Sequence, residues 1–165
     1  MAKRRLSEAA QVAKLCKAYL KNKNIKCNTR SSNFAGGDSV NIEVTDLSPA
    51  ELEEIKKEFS KYEYGTFDGM TDCYEMTNVN RSIPQTKYLF IKNKISDEMS
   101  EKIKKYIAGK EGIKTEEDIA KADERLYLKG RGIYSLADYV NSIFYNHEPS
   151  DFWENEKKED TKNNV

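Results

Sequence analysis

Three carboxylates lie close together around one predicted turn: Asp68, Asp72 and Glu75 belong to the stretch FDGMTDCYE. Carboxylate oxygens at this spacing could bind a divalent cation. They could also serve as acid and base if their surroundings separated their pKa values. Aspartates are frequent in turns for a simpler reason, because their side chains bond the local backbone. A metal-dependent enzyme that uses these three residues is therefore only a distant alternative.

Histidine and cysteine offer little further chemistry. The only histidine is His147, which rules out a two-histidine metal site and argues against a triad of nucleophile, histidine and acid. Cys16, Cys27 and Cys73 have neither zinc-site spacing nor a Cys-x-x-Cys pair, and isolated cysteines more often fill a core than attack a substrate. We therefore predict no catalytic residue, no metal ion and no cofactor, which means a protein that is not an enzyme.

The stretch TRSSNFAGGDSVNIEV, residues 29–44, could be a phosphate-binding loop or a hairpin. A phosphate-binding loop leads into a helix and usually has a lysine after its last glycine. Here the glycines precede an alternating apolar stretch, and the Gly-Lys-Ser/Thr signature is absent. Two adjacent glycines between alternating stretches are typical of a turn with positive φ. The sequence predicts a β-hairpin with Gly36 or Gly37 at positive φ.

Two regions contain candidate binding residues. In the polar run before the glycines, Arg30 could offer its guanidinium to a phosphate or a carboxylate, or the neighbouring hydroxyls could merely satisfy exposed backbone. Near the acidic turn, aromatic rings alternate with acids. These rings could anchor a protein partner, stack on bases or simply pack in the core. The candidates are Arg30, Ser31, Ser32, Tyr64, Phe67, Asp68 and Asp72.

Charge is segregated along the chain although the net charge is zero. Residues 1–30 contain nine Lys and Arg against one acid, and residues 31–76 contain eleven acids against three lysines. Such asymmetry can mark a surface for nucleic acid or for an acidic partner. Alternatively, the two segments neutralise each other within the fold. A nucleic-acid-binding surface would use Lys14, Lys17 and Lys21, which share one face of the first predicted helix, together with Arg30.

Helices and strands must position these candidates. Apolar residues at helical spacing predict an amphipathic helix over residues 7–21. Strict alternation predicts a half-buried strand. Ser48, Pro49 and Glu51 are typical of a capping box that starts a second helix. The predicted inward residues are Leu6, Ala9, Val12, Ala13, Cys16, Tyr19 and Leu20 in the first helix, Val40, Ile42 and Val44 in the strand, and Leu52, Ile55 and Phe59 in the second helix.

The second half of the chain has similar signals. The run Tyr88–Ile91 predicts a strand near the sheet centre, and Ser96 starts a helix. Thr115 with Asp118, and Ser135 with Asp138, resemble the caps of two further helices. The predicted inward residues are Met99, Ile103 and Ile107 in the first of these helices and Leu136, Val140, Ile143 and Phe144 in the last.

This order of elements predicts the α+β class, with a small antiparallel β-sheet, helices packed on one side and C-terminal helices. We expect one domain over residues 1–147, which includes a helical extension over residues 112–147. A polar and disordered tail would follow over residues 148–165. No apolar run approaches the roughly 18 residues of a membrane span, and the scattered cysteines indicate a reducing environment. We expect a soluble, intracellular protein without a membrane partner.

Three segments in fixed order resemble a known family. The stretches RSSNFAGGDSVNIEVTD, FDGMTD and RSIPQTKYLFIKNKIS are similar to the large polyvalent-protein-associated domains of phages and conjugative elements. The resemblance covers roughly residues 12–100, and the segment from about Gly112 onward has no pattern that assigns it to a family. It implies a mobile-element context and a location in the host-cell cytoplasm. It implies no catalytic residue.

These observations favour a non-catalytic interaction protein of a phage or mobile genetic element. We expect it to bind a host protein, with inhibition of a host defence system, similar to an anti-CRISPR protein, as a candidate role. The alternative is a nucleic-acid-binding accessory protein that uses the basic first helix and Arg30. The two hypotheses are distinguished by whether Lys14, Lys17, Lys21 and Arg30 share one face that the acidic segment does not neutralise.

Overall fold

The computed structural model describes residues 6–112, 126–128, 132–134, 136–148 and 150–163. The chain divides into two compact units, Met1–Lys94 and Ile95–Val165, where the sequence predicted one domain over residues 1–147 and a tail. The elements of the first unit are α1 (Glu8–Asn22), β1 (Cys27–Phe34), β2 (Gly37–Thr45), α2 (Pro49–Phe59), β3 (Thr66–Asp68), β4 (Cys73–Glu75) and β5 (Tyr88–Lys94).

Both helices of the first unit begin at residues that the sequence indicated. The Ser7 side chain accepts a hydrogen bond from the Ala10 N–H and caps α1. At α2, the Glu51 carboxylate accepts from the Ser48 N–H at 3.0 Å, and the Ser48 hydroxyl accepts from the Glu51 N–H. This reciprocal arrangement satisfies two backbone donors that the first helical turn leaves unpaired. The capping-box prediction is confirmed.

The main sheet has the strand order β1-β2-β5. β1 and β2 form an antiparallel hairpin with Gly36 at φ +96°, which confirms the predicted turn. β5 pairs parallel to β2, so the sheet is mixed and not wholly antiparallel, although the α+β class is confirmed. The parallel pairing follows from the long connection through α2, β3 and β4, which returns the chain to the same end of the sheet.

The prediction that Tyr88–Ile91 lie near the sheet centre is wrong, because β5 is an edge strand and β2 is central. The strictly alternating strand is the one with neighbours on both sides. Its residues Val40, Ile42 and Val44 are fully buried. The compact apolar run of β5 instead leaves Phe90 about half exposed.

One face of the sheet is covered by α1 and α2, as the sequence predicted. The core joins residues from both helices and from β2: Ala9, Val12, Ala13, Cys16, Leu20, Val40, Ile42, Val44, Leu47, Ile55 and Phe59. Tyr19, Leu52 and Tyr62 pack at its margin, where the Tyr19 and Phe59 rings meet edge to face at 5.3 Å. Leu6 was predicted inside but is exposed, because it precedes the cap Ser7 and is not held on the helix face.

The second unit contains α3 (Asp97–Glu111), β6 (Leu126–Leu128), β7 (Gly132–Tyr134), α4 (Leu136–Phe144) and α5 (Phe152–Asn163). Ser96 caps α3 by accepting from the Met99 N–H, and Gly112 ends it at φ +71°. The predicted inward residues of α3 and α4 form its core, together with Tyr139 and Phe152. The strands β6 and β7 were not predicted. The predicted cap residues Thr115, Asp118 and Ser135 lie outside the described residues.

The predicted disordered tail over residues 148–165 needs correction, because α5 occupies most of it. Phe152 is buried in the second core, and the Trp153 indole N–H donates to the Ile143 carbonyl at 3.3 Å. A salt bridge of 3.0 Å joins Lys102 to Glu156. Two adjacent aromatic residues thus anchor a segment whose average composition is polar. Among the described helices, none has both the length and the apolar character needed to cross a membrane.

Candidate functional site

The first unit presents two exposed surfaces with aromatic side chains. The first is the face of the β1-β2-β5 sheet that points away from the core, here called the open sheet face. Because successive side chains of a strand alternate between faces, the register assigns each residue. Val40, Ile42 and Val44 face the core, so the intervening residues and their strand partners form the open sheet face: Asn28, Arg30, Ser32, Phe34, Ser39, Asn41, Glu43, Tyr88, Phe90, Lys92 and Lys94.

Three aromatic rings lie next to one another on the open sheet face. The Tyr88 ring is 6.3 Å from that of Phe34 and 6.0 Å from that of Phe90, with planes within 17° and 13° of parallel. Phe34 and Phe90 are each 48% exposed. Single exposed apolar side chains are common, but neighbouring ones can mark an interaction surface. The open sheet face therefore contains a row of three neighbouring rings, two of which are about half exposed.

Positive charge predominates on the open sheet face. The face contains three cations, Arg30, Lys92 and Lys94, and a single acid, Glu43. Lys94 pairs with Glu43 at 3.0 Å, and this hydrogen bond is the main cause of the lowered pKa of Glu43. The charges of Arg30 and Lys92 lower the same pKa further, which places both near that carboxylate. Among the ion pairs of the described residues, none involves Arg30 or Lys92.

The second surface lies on the β3–β4 hairpin and the segment after it. It consists of four exposed apolar side chains, here called the hairpin surface: Phe67, Met70, Met76 and Val79, which are 55%, 94%, 71% and 54% exposed. Residues 66–79 contain three acids and no Lys or Arg. Of the four apolar residues only Phe67 was a predicted site residue. The other three lie beside turns in a short polar context, where hydropathy patterns give no periodicity.

The acids of this hairpin support its turn. The Asp68 carboxylate accepts from the Met70 N–H at 2.9 Å and from the Thr71 hydroxyl at 2.8 Å, and these bonds lower the pKa of Asp68. Asp72 adopts φ +54°, a left-handed conformation that aspartate tolerates better than most residues. Within the described residues, no three His, Cys, Asp or Glu side chains are arranged to hold a metal ion. Asp68, Asp72 and Glu75, close in sequence, are thus not gathered into such a group.

Tyr64 has a structural position and is not an exposed anchor. Its ring meets that of Tyr74 edge to face at 5.8 Å, and Tyr74 meets Tyr88 at 5.4 Å. The Tyr74 hydroxyl donates to the Lys87 carbonyl at 2.5 Å. Burial is the main cause of the raised pKa of Tyr64 and of Tyr74. This aromatic row attaches the β3–β4 hairpin to the start of β5.

Side-chain amides fix the segment that follows the hairpin. The Asn78 amide donates to the Ser60 and Glu63 carbonyls at 3.0 and 2.9 Å. The Gln85 amide donates to the Lys61 and Asn78 carbonyls, both at 2.8 Å. Gln85 is buried and Asn78 is exposed, and in both cases a side-chain amide with two backbone partners holds irregular backbone in one conformation. The segment that contains Val79 and follows the hairpin is therefore held to the rest of the first unit by hydrogen bonds.

The residues predicted for nucleic-acid binding do not lie together. Lys14, Lys17 and Lys21 are exposed on α1, which packs against the core side of the sheet. Arg30 points to the opposite side, in the row of Asn41 and Phe90. The adjacent Ser31 and Ser32 are separated in the same way, since Ser31 pairs with Val40 on the core side. A single surface therefore cannot combine the helix lysines with Arg30.

The chain matches one family model. The family described as large polyvalent protein associated domain 29 matches residues 7–150, a longer span than the resemblance over residues 12–100 that the sequence motifs indicated. The match includes the segment after Gly112, which those motifs left unassigned. No curated protein and no solved structure shows significant similarity to the chain. The chain therefore belongs to the large polyvalent protein associated domain 29 family, which associates it with phages and mobile genetic elements.

Proposed function

We propose that this chain is a non-catalytic interaction protein of a phage or mobile genetic element that binds a host protein through the hairpin surface. One observation carries the proposal: Phe67, Met70, Met76 and Val79 are all more than half exposed within one short stretch. Exposed apolar residues that recur in one region mark interaction sites in soluble proteins. Aromatic side chains and methionine are enriched in the buried centres of interfaces.

The partner is expected to offer an apolar pocket with a basic rim. Phe67 supplies a rigid anchor, and Met70 and Met76 supply flexible side chains that adapt to an irregular pocket. Asp72 and Glu75 are exposed beside them. Acids at the edge of an apolar contact favour a basic partner surface and speed the encounter.

The non-catalytic part of the proposal is supported by how the reactive groups are used. Burial raises the pKa of the Cys16 thiol to about 12, so this cysteine is not a thiolate at neutral pH. Asp68 is occupied by hydrogen bonds within its turn. The chain thus acts by occupying a partner surface. Interference with a host defence system is the proposed consequence, and it would be tested by the plating efficiency of a phage on hosts with and without that system.

The decisive experiment measures binding to a purified partner. Affinity capture from host lysate with nuclease present would yield candidates, and isothermal titration would then compare variants with the wild type. We expect a double variant, Phe67→Ala with Met70→Ala, to weaken binding at least tenfold. Truncation of central anchors typically lowers the binding free energy by about 2 kcal/mol. The matched control is Leu15→Ala, which truncates an exposed apolar side chain on α1. Equal affinity of the double variant and the control would contradict the proposal.

A further inference from the structure

We propose that the open sheet face binds single-stranded nucleic acid. This goes beyond the proposed function, because it assigns a second ligand to a different surface with charge of the opposite sign. It also relocates the nucleic-acid hypothesis from α1 to the side of the sheet that α1 does not cover. The inference rests on three properties of this face: exposed rings, two cations that form no ion pair with another described residue, and polar groups beside them.

The exposed rings provide a stacking platform. Phe34 and Phe90 flank Tyr88, and all three rings are held by rigid strands. Single-stranded DNA or RNA can stack unpaired bases on such rings, whereas in a duplex both faces of each base are already occupied by neighbouring pairs. Stacking tolerates any base, because each has a π face. The platform therefore favours single strands over duplexes and requires little sequence preference.

The cations are positioned to contact the phosphates that flank a stacked base. Arg30 lies in the same cross-strand row as Phe90, two strands away, which is a separation of about 10 Å. Lys92 is two residues beyond Phe90 on β5, about 7 Å along the strand. Neither cation is occupied by an ion pair among the described residues. A backbone that passes over Phe90 would therefore meet a positive charge on two sides.

Polar side chains lie beside the rings and the cations on the same face. Asn28 and Ser32 are exposed on β1, and Asn41 lies beside Arg30 and Phe90 in the central strand. Asparagine and serine can both donate to and accept from the edges of an unpaired base. The same face would suit a protein partner poorly, because two cations that form no ion pair among the described residues are costly to desolvate. Charge and polarity thus favour a polyanion with exposed bases.

Fluorescence anisotropy with labelled oligonucleotides of about 12 nucleotides tests the inference directly. The arms are oligo(dT), oligo(U) and a DNA duplex of the same length, so that DNA, RNA and duplex binding are distinguished. We expect both single strands, or one of them, to bind more tightly than the duplex. If Arg30 and Lys92 each neutralise one phosphate, a plot of the logarithm of the association constant against the logarithm of the salt concentration should have a slope of about −1.4. No binding of either single strand at low salt would overturn the inference.

Matched variants locate the binding site. Phe90→Ala should weaken single-strand binding about tenfold or more, because one stacked base contributes about 1–3 kcal/mol. Its control is Phe67→Ala, which removes a similarly exposed ring from the hairpin surface. Lys92→Ala should reduce the salt slope by about 0.7, and its control is Lys17→Ala on the far side of the sheet. Equal effects of Phe90→Ala and Phe67→Ala would overturn the inference.

A substitution that strengthens binding completes the test. Glu43→Gln removes the single acid of the open sheet face and releases Lys94 from its 3.0 Å pair. We expect affinity for single strands to rise a few-fold, and a loss would contradict the charge argument. None of the substituted side chains is fully buried, and unchanged melting temperatures would verify the fold of each variant. None of these outcomes requires a host-protein contact at the hairpin surface, so failure of the inference and failure of the proposed function remain distinguishable.

Discussion

The open sheet face and the hairpin surface both expose phenylalanine, but they differ in charge and in construction. Phe34 and Phe90 lie among Arg30, Lys92 and Lys94, whereas Phe67 lies among acids with no Lys or Arg in residues 66–79. An exposed ring alone does not indicate the kind of ligand. The neighbouring charges do, because they decide whether a polyanion or a basic protein surface is attracted.

The two surfaces also differ in how firmly they are held. The open sheet face rests on an eight-pair ladder between β1 and β2 and a seven-pair ladder between β2 and β5. The β3–β4 hairpin has three pairs and depends on Tyr74, Gly65 and the side-chain amides for its position. An isolated two-stranded hairpin is marginally stable. Substitutions that displace the hairpin should therefore affect the hairpin surface more than the open sheet face, where Tyr74 contacts Tyr88.

The largest effect is expected for Gly65→Ala. An added Cβ at this buried glycine would lie 2.1 Å from the Glu75 carbonyl oxygen and 2.7 Å from the Tyr74 ring. Backbone cannot move aside as a flexible side chain does, so β4 must shift, and overpacking of this kind costs about 1–3 kcal/mol. We expect a lower free energy of unfolding and loss of host-protein binding, with single-strand binding preserved.

The matched control for this change is Gly69→Ala in the turn of the same hairpin. An added Cβ there would meet no atom within 4 Å, so stability and both binding activities should stay near wild type. Urea denaturation and the two binding assays would check both variants. If Gly65→Ala weakened the binding of the host protein and of the single strand equally, the two surfaces would not act independently.

A smaller effect is expected for Tyr74→Phe. This change removes the hydroxyl that donates to the Lys87 carbonyl at 2.5 Å but keeps the ring contacts with Tyr64 and Tyr88. A hydrogen bond of this type contributes about 1 kcal/mol to the free energy of unfolding. Because the ring stays in place, we expect a modest loss of stability with little change in either affinity. Tyr64→Phe, in the neighbouring ring, serves as the control, and chemical denaturation provides the measurement.

Glu63→Gln tests how the contact between Glu63 and β5 makes stability depend on pH. Burial raises the pKa of Glu63, and the Leu89 N–H, which donates to its carboxylate at 3.1 Å, opposes this rise. A folded-state pKa above the unfolded value means that stability is fully present below the unfolded pKa and falls as pH rises through the folded one. The variant should lack this decline and gain less than about 1 kcal/mol at neutral pH, since a half-exposed group is screened by solvent. The free energy of unfolding of the wild type and of Glu63→Gln would be measured by chemical denaturation between about pH 4 and pH 7. The same pH dependence in both proteins would contradict this role of Glu63.

Local signals predicted the elements well. The Ser48, Pro49 and Glu51 cap and the Gly36 turn were identified because each depends on residues within a few positions of one another. The alternation of β2 also identified its buried residues Val40, Ile42 and Val44. These features follow from short-range geometry, which a sequence displays directly.

The composition of the exposed surfaces could not be predicted from such short-range signals. The separation of Arg30 from Lys14, Lys17 and Lys21 depends on which face of the sheet α1 covers, and that is a long-range property. The position of β5 depends on a parallel pairing across a long connection, so the exposure of Phe90 was not evident from an apolar run. Average composition likewise concealed the anchoring of α5 by Phe152 and Trp153.

The smallest perturbation uses the natural cysteines, with no substitution at all. Cys73 is exposed on β4, Cys27 is partly buried in β1, and Cys16 is buried, with a thiol pKa raised to about 12 by that burial. A thiol reagent attacks thiolates that it can reach. We expect Cys73 to react first and Cys16 only after unfolding. A host protein bound at the hairpin surface should slow the labelling of Cys73, whereas a single strand bound to the open sheet face should not. Protection of Cys73 by the oligonucleotide would show that the two ligands share one surface.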